Sequence, residues 1–192
     1  MRTKDFNEDE VLRKAIDIFW EKGYNATSLH DLIDGLGIGR SSIYHAYGDK
    51  HNLFVKALAL YQEEGTARIK DILENSSSLR IAIERLLNVV PNHAFGSSRP
   101  KGCFKVNCEV EVAAHDDIVN KLVYDDDLII EESLFKAFKK GQENGEIEAT
   151  KDPLALARFF ANTLTGMRVY AKFRPEPRFF QDIVKTALSV LD

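Results

Sequence analysis

Cysteine is scarce in this chain, with two residues among 192, Cys103 and Cys108. Five positions apart on a helix, they are turned about 140° from one another, which makes a disulfide between them geometrically poor. No CxxC pair occurs, and two thiols leave a structural zinc site short of partners. A reducing compartment fits that usage. Glycine and proline number only eleven and five and fall in clusters, so long stretches run free of helix breakers. Long apolar runs are also missing. The most apolar late stretch, Ala155 to Ala171, is interrupted by Arg158, Asn162 and Arg168, which excludes a bilayer span there. The opening Met1-Arg2-Thr3-Lys4-Asp5-Phe6 has no apolar signal core. A cytoplasmic protein without membrane association is expected.

An excess of positive charge is lacking too. The formal net charge is −4, and residues 1–50 carry seven Lys/Arg against nine Asp/Glu, a local −2. A nucleic-acid partner then needs local positive charge rather than a basic whole. Residues 37–56 supply it: Arg40, Lys50 and Lys56 against Asp49, a local +2. Hydrophobic residues make up 44% and charged residues 29%, enough to bury a core and remain in solution.

What the chain has in abundance is helical periodicity. Asn7 with Glu10 has the spacing of a capping box. Val11, Leu12, Ala15, Ile18 and Phe19 follow at three- and four-residue intervals and give one buried stripe. Gly23 ends that helix. Thr27 or Ser28 caps a second, short helix through Leu29, Leu32 and Ile33, halted at Gly35 to Gly37. A third runs from Arg40 to Tyr47 and ends at Gly48. Asp49 caps a long fourth, toward Glu74. After Asn75-Ser76-Ser77-Ser78 a fifth covers Leu79 to Val90, and Pro91 to Pro100 reads as a loop. Helical patterns resume over Gly102–Ala114 and Asp116–Asn144, then over Leu154–Phe173 beyond a turn between Gly145 and Pro153. A corner at Arg174-Pro175-Glu176-Pro177 precedes a last helix, Phe179 to Leu191. No hairpin signal and no internal repeat interrupt this. The expected fold is all-α, with about nine helices.

The informative segment is Thr27 to Lys50. Two short amphipathic helices meeting at a glycine-containing turn have helix-turn-helix architecture. Leu32, Ile33, Leu36, Ile43 and Tyr47 can close a small core with Ile18 and Phe19. That leaves Arg40, Ser41, Ser42, Tyr44 and His45 on the outer side of the second short helix, the side a recognition helix offers to a major groove. Hydroxyls reach phosphates, and arginine reads guanine or grips a phosphate. Lys50, starting the fourth helix, is placed to pair with backbone phosphate. His30 and His51 read as solvated surface histidines.

Gly23-Tyr24-Asn25-Ala26-Thr27 through Ile43-Tyr44-His45-Ala46-Tyr47-Gly48-Asp49-Lys50 resembles the signature of the TetR/AcrR family of transcriptional regulators. Residue types and spacing agree over more than twenty positions, about a quarter of the chain. Tyr47 stands where phenylalanine is usual, and Ala46 where a larger polar or aromatic residue is common. The resemblance implies a TetR-like fold: a three-helix DNA-binding head over residues 1–50, and an effector-sensing and dimerisation domain over 51–192. It implies phosphate contacts at Thr27, Tyr44 and Lys50, and base or phosphate contacts at Arg40, Ser41 and His45. It also implies a homodimer on double-stranded operator DNA, the last two helices pairing with their twofold mates, and an output as a repressor. The apolar positions Leu154, Ala157, Phe160, Leu164 and Met167, with Ile183, Ala187 and Val190, fit such a pairing or burial within one subunit.

Lys101 to Glu111 resembles a Gly-Cys-hydrophobic…Asn…Glu pattern at the sixth helix of one TetR branch, which includes NemR-like repressors that answer electrophiles or oxidants. Pro100 and Gly102 place Cys103 in a first helical turn, where the dipole and Lys101 or Lys105 favour a thiolate. The other reading is a small buried hydrophobe beside Asn107 and Val110. Cys103, Phe104, Asn107, Tyr124, Phe160 and Met167 are the candidate effector-sensing residues, with Tyr61 beside them, for a small hydrophobic or electrophilic effector. Asp125-Asp126-Asp127 with Glu131 and Glu132 reads as a solvated helix face rather than a cation site. His93 or His115 beside Cys103 lacks an orienting third group. No cofactor, metal or catalytic residue is expected. The acidic head keeps one alternative open, a helical protein–protein interaction module without DNA binding.

Overall fold

The computed structural model describes residues 6–96 and 102–192. Among them nine α-helices and one 3₁₀ turn are present, and no strand. The helices are α1 (Glu8–Lys22), α2 (Leu29–Leu36), α3 (Arg40–Tyr47), α4 (Lys50–Glu74), α5 (Leu79–Gly96), α6 (Phe104–Glu111), α7 (Asp117–Glu143), α8 (Pro153–Tyr170) and α9 (Pro177–Ser189), with the 3₁₀ turn at Ala113–His115. The all-α expectation holds.

Local chemistry sets most of the helix ends. The Asn7 side chain accepts the N–H groups of Asp9 and Glu10 at 3.0 and 3.4 Å. Ser28 and Asp31 form a reciprocal capping box at α2, and Asp49 accepts the Asn52 N–H at 2.7 Å. Asp152 accepts the N–H of Leu154 at 2.8 Å. Each satisfies donors that a helix start leaves without intrahelical partners. Pro153 and Pro177 sit at first helical positions, where the missing N–H costs nothing.

The largest departure from the expected boundaries is at the end of α5. The segment from Pro91, expected as a loop, continues α5 to Gly96. Proline removes the bond an N–H there would give to the Leu87 carbonyl, but Val90 and Ala94 are buried in the surrounding core and the Phe95 ring meets Phe180 at 5.8 Å. Packing outweighs the missing bond. Positions 97–101, including the expected dipole partner Lys101 and Pro100, lie outside the described residues.

Internal contacts group the chain into two units, Met1–Glu64 with Cys103–Val123, and Gly65–Gly102 with Tyr124–Asp192. In the first, Phe19, Leu32, Ile43, Phe54 and Leu58 share a core with Phe104, Cys108 and Val119. In the second, Ile83, Leu87, Leu134, Phe138, Phe160 and Phe180 form the centre of another. Asp126, expected on a solvated face, is buried in this second unit and accepts the Thr66 hydroxyl at 2.6 Å. Burial of a carboxylate requires such a partner.

Candidate nucleic-acid interface

The turn Gly37-Ile38-Gly39 joins α2 to α3, and Gly37 adopts the left-handed conformation at φ +69°. Ile43 and Tyr47 point inward to Leu32 and Leu36. The helix period then turns Arg40, Ser41, Tyr44 and His45 to solvent, with Ser42 half-buried at the margin. Tyr44 is 44% exposed, and its ring lies 5.4 Å from the guanidinium carbon of Arg40. That pair holds a planar cation beside a phenol on one outward strip. No side chain caps α3, whose N-cap is Gly39, so its first amides remain open to an outside acceptor.

Lys50 flanks the strip. Its ammonium sits 4.4 Å from the centroid of the Tyr24 ring. Burial lowers its pKa from the ordinary lysine value, while the Glu111 and Asp31 carboxylates pull the other way. Thr27, expected among the phosphate contacts, is 1% exposed and donates its hydroxyl to the Gly23 carbonyl at 2.6 Å. Its side chain is committed to closing the turn between α1 and α2. Tyr47 is buried, with no hydrogen-bond partner for its hydroxyl, and burial pushes its pKa up to about 12.

Residues 11–57 match the family of bacterial regulatory proteins described as tetR, and residues 77–187 match a tetracyclin repressor-like C-terminal domain. The chain belongs to the TetR family. Membership makes it a DNA-binding transcriptional regulator, with α2 and α3 as its helix-turn-helix. It is 32% identical over 192 residues to the HTH-type transcriptional regulator YezE of Bacillus subtilis strain 168, covering 100% of this chain and 99% of that one. It is 30% identical over 173 residues to the HTH-type transcriptional repressor ComR of Escherichia coli K12, covering 89% of this chain and 82% of that one. Among solved structures, a cysteine mutant of the TetR-family regulator CifR, complexed with 26-base-pair operator DNA, superposes with a TM-score of 0.89 at 27% identity over 100% of both chains. The reduced form of Escherichia coli NemR shares the fold, with a TM-score of 0.85 at 17% identity over 96% of each.

The expected effector residues are divided between the two units. Tyr61, Phe104 and Asn107 belong to the first unit, and Tyr124, Phe160 and Met167 to the second. Phe104 is buried edge-on to both Tyr61 and Phe54, and Asn107 is half-buried. Phe160 stacks on Phe138 at 5.3 Å and Met167 is buried nearby, whereas Tyr124 is 60% exposed. Cys103 is the N-cap of α6 rather than part of its first turn. It is 4% exposed, not partly open, and accepts a hydrogen bond on Sγ from the Tyr61 hydroxyl at 3.4 Å. Lys105, expected to favour its thiolate, is buried with its ammonium 3.7 Å from Glu109. Burial raises the pKa of Cys108 far above the ordinary thiol value. A cleft of 610 Å³ in the second unit is lined by other residues, among them Leu73, Leu128, Ile129 and Lys70.

Two contacts near the interface escaped sequence reasoning. The Glu111 carboxylate accepts the backbone N–H groups of Tyr24 and Asn25 at 3.1 and 2.8 Å. His51, expected as a solvated histidine, lies 2.6 Å from Asp116. These partners are 86, 87 and 65 positions apart, beyond any local spacing rule. A local signal was Gly23, where a Cβ would crowd the Glu111 carboxylate at 2.8 Å. Among the described residues no group of three or more side chains is arranged to hold a metal ion, and no helix is long and apolar enough to cross a membrane.

Proposed function

We propose that this regulator is a homodimeric repressor that sets α3 of each protomer into the major groove of operator DNA. Arg40, Ser41, Ser42, Tyr44 and His45 form the reading surface, with Lys50 on the phosphates. The observation that carries this is the outward strip of α3, held by the inward anchoring of Ile43 and Tyr47. Residues 1–50 form the DNA-binding head in this reading, and residues 51–192 sense and dimerise. Exposed Phe159, Val169 and Tyr170 on α8, with Val190 after α9, supply apolar surface for a symmetric partner. The related repressor ComR and the operator complex of CifR support the same direction. The site is bacterial cytoplasm, where both cysteines stay as free thiols, and no residue is assigned to catalysis.

Duplex DNA from upstream of the regulator's own gene, titrated in fluorescence anisotropy, tests this. Arg40→Ala and Tyr44→Phe should each weaken binding by about tenfold, within the range of about 1–3 kcal/mol that one such side chain supplies, and leave the sedimenting dimer intact. Unchanged binding by both variants refutes the groove assignment. Phe159→Glu should shift the dimer toward monomer in sedimentation; an unaltered dimer refutes the assigned face.

Release is proposed to follow a small hydrophobic effector that shifts the population of head arrangements. Phe104, Phe160 and Met167 are packed into cores, so an effector reaches them only by displacing neighbours. Thiol modification at Cys103 is a second reading, favoured by its place at the start of α6 and the Tyr61 hydroxyl on its sulfur. Cys103→Ser that still releases DNA on exposure to a quinone assigns release to binding rather than to thiol chemistry.

A further inference from the structure

Lys50 owes its position to Tyr24. The ammonium lies over that ring at 4.4 Å, and the ring is wedged at 4.5 Å against Phe54 and 6.2 Å from Phe19. Tyr24 falls in the turn between α1 and α2, outside both helices. Glu111, the last residue of α6, holds it. One carboxylate oxygen takes the N–H of Tyr24 and the other that of Asn25. Gly23 clears the approach: a Cβ there would stand 2.8 Å from Oε2 of Glu111. Two backbone donors on one carboxylate are charge-assisted and orient the turn as well as attach it.

We propose that Glu111 is a positioning residue for DNA binding, clamping the turn between α1 and α2 so that Tyr24 holds Lys50 at the phosphate-facing edge of the head. The inference rests on the reading of Lys50 as a phosphate contact. It assigns α6 a specific handle on the head. The α6 helix starts at Cys103's neighbour Phe104 and is anchored through buried Phe104 and Cys108. At 3.1 and 2.8 Å the two bonds have only a few tenths of an ångström to spare before they weaken. A displacement of the C-terminal end of α6 by about 1 Å therefore breaks both bonds and loosens the turn that carries Tyr24 beneath the lysine. Lys50 then turns its charge to solvent instead of the DNA edge, and one operator phosphate per protomer is left without its cation.

The test is a double-mutant cycle on the full-length protein, read by anisotropy with the upstream duplex across a salt series. Lys50→Ala alone should weaken binding about tenfold and reduce the slope of log affinity against log salt by about 1 for each phosphate left unneutralised. Glu111→Ala should weaken it by a similar factor, about tenfold, and Lys50→Ala added to it should cost less than about twofold, because the lysine is already misplaced. Glu111→Gln keeps one acceptor oxygen and should recover most of the affinity. It also serves where the alanine variant fails to fold, and Lys50→Ala in that background should again cost close to its full factor. In folded Glu111→Ala the amides of Tyr24 and Asn25 should exchange with solvent faster than in the wild type. A folded Glu111→Ala protein that binds as the wild type does, or in which Lys50→Ala keeps its full tenfold cost, overturns the inference while leaving the DNA reading standing. Wild-type protein that retards no duplex at low salt overturns both.

Discussion

Nε2 of His51 lies 2.6 Å from Oδ2 of Asp116, so the first turn of α4, directly behind the recognition helix, is tied to the residue that caps α7. The other oxygen of Asp116 accepts the N–H groups of Ile118 and Val119 at 3.1 and 2.9 Å. One carboxylate thus starts a helix and fixes a histidine 65 positions earlier in the chain. The hydrogen bond from the Val119 N–H, with those from His51 and Ile118 and the charge of His51, holds the Asp116 pKa below its ordinary value of 3.8.

The pH dependence follows from that depression. A carboxylate with a lowered folded-state pKa contributes stability that is complete above the unfolded value and is lost as pH falls through the folded one. Asp116→Ala should cost about 1 kcal/mol in urea unfolding at neutral pH, the usual worth of an N-cap. The difference between variant and wild type should shrink as pH falls below 3.8. A difference independent of pH would refute the linkage.

Tyr47 carries an unneeded polar atom. Its hydroxyl is buried without a partner, at a position where the family pattern more often has phenylalanine. Tyr47→Phe should raise stability or leave it unchanged, within about 1 kcal/mol, with unaltered DNA affinity. Between pH 10 and about 12 the wild type holds a proton in the folded state that the unfolded chain has lost. Its stability should therefore fall across that window while that of Tyr47→Phe does not fall for this reason. Thermal melts at about pH 8 and about pH 11 read both effects.

Gly23 has φ +83° and ψ 162°, a region that only glycine occupies readily. Gly23→Ala should destabilise by about 1–3 kcal/mol from the backbone and by a further amount from collision with the Glu111 carboxylate. In a Glu111→Ala background the second part should vanish, so the two substitutions are non-additive. Additive costs in denaturant titrations would place the carboxylate elsewhere.

Both thiols are buried, and a thiol is reactive only where its thiolate is accessible. Native protein should take up iodoacetamide slowly at Cys103 and still more slowly at Cys108, and both should label fully in urea. Labelling of native Cys103 at the rate of a free thiol would turn the account of release toward thiol chemistry.

The helical character of the chain and its helix-turn-helix were legible because both are local. Asn7, Ser28 and Asp49 announce helix starts within three residues of the amides they serve, and Gly23, Gly37 and Gly48 announce ends by conformations other residues avoid. The outward strip from Arg40 to His45 followed from counting the helix period against Ile43 and Tyr47. Pro91 misled because a local rule met a stronger non-local one: Phe180, far along the chain, takes up the face that keeps the helix going. Asp126 misled likewise, since nothing in an acidic run tells which carboxylate will meet Thr66.

By itself, then, the sequence determined which segments are helices, where most of them begin, and which short helix turns its polar side outward, because those outcomes depend on neighbours within one or two turns. The tertiary structure decided what those helices are tied to. It alone buried Cys103 against Tyr61, joined His51 to Asp116, and brought Glu111 to the backbone of Tyr24. Each of these needs the chain to return to a place it left more than forty residues before. Thr27 differs, for its own turn closes over it.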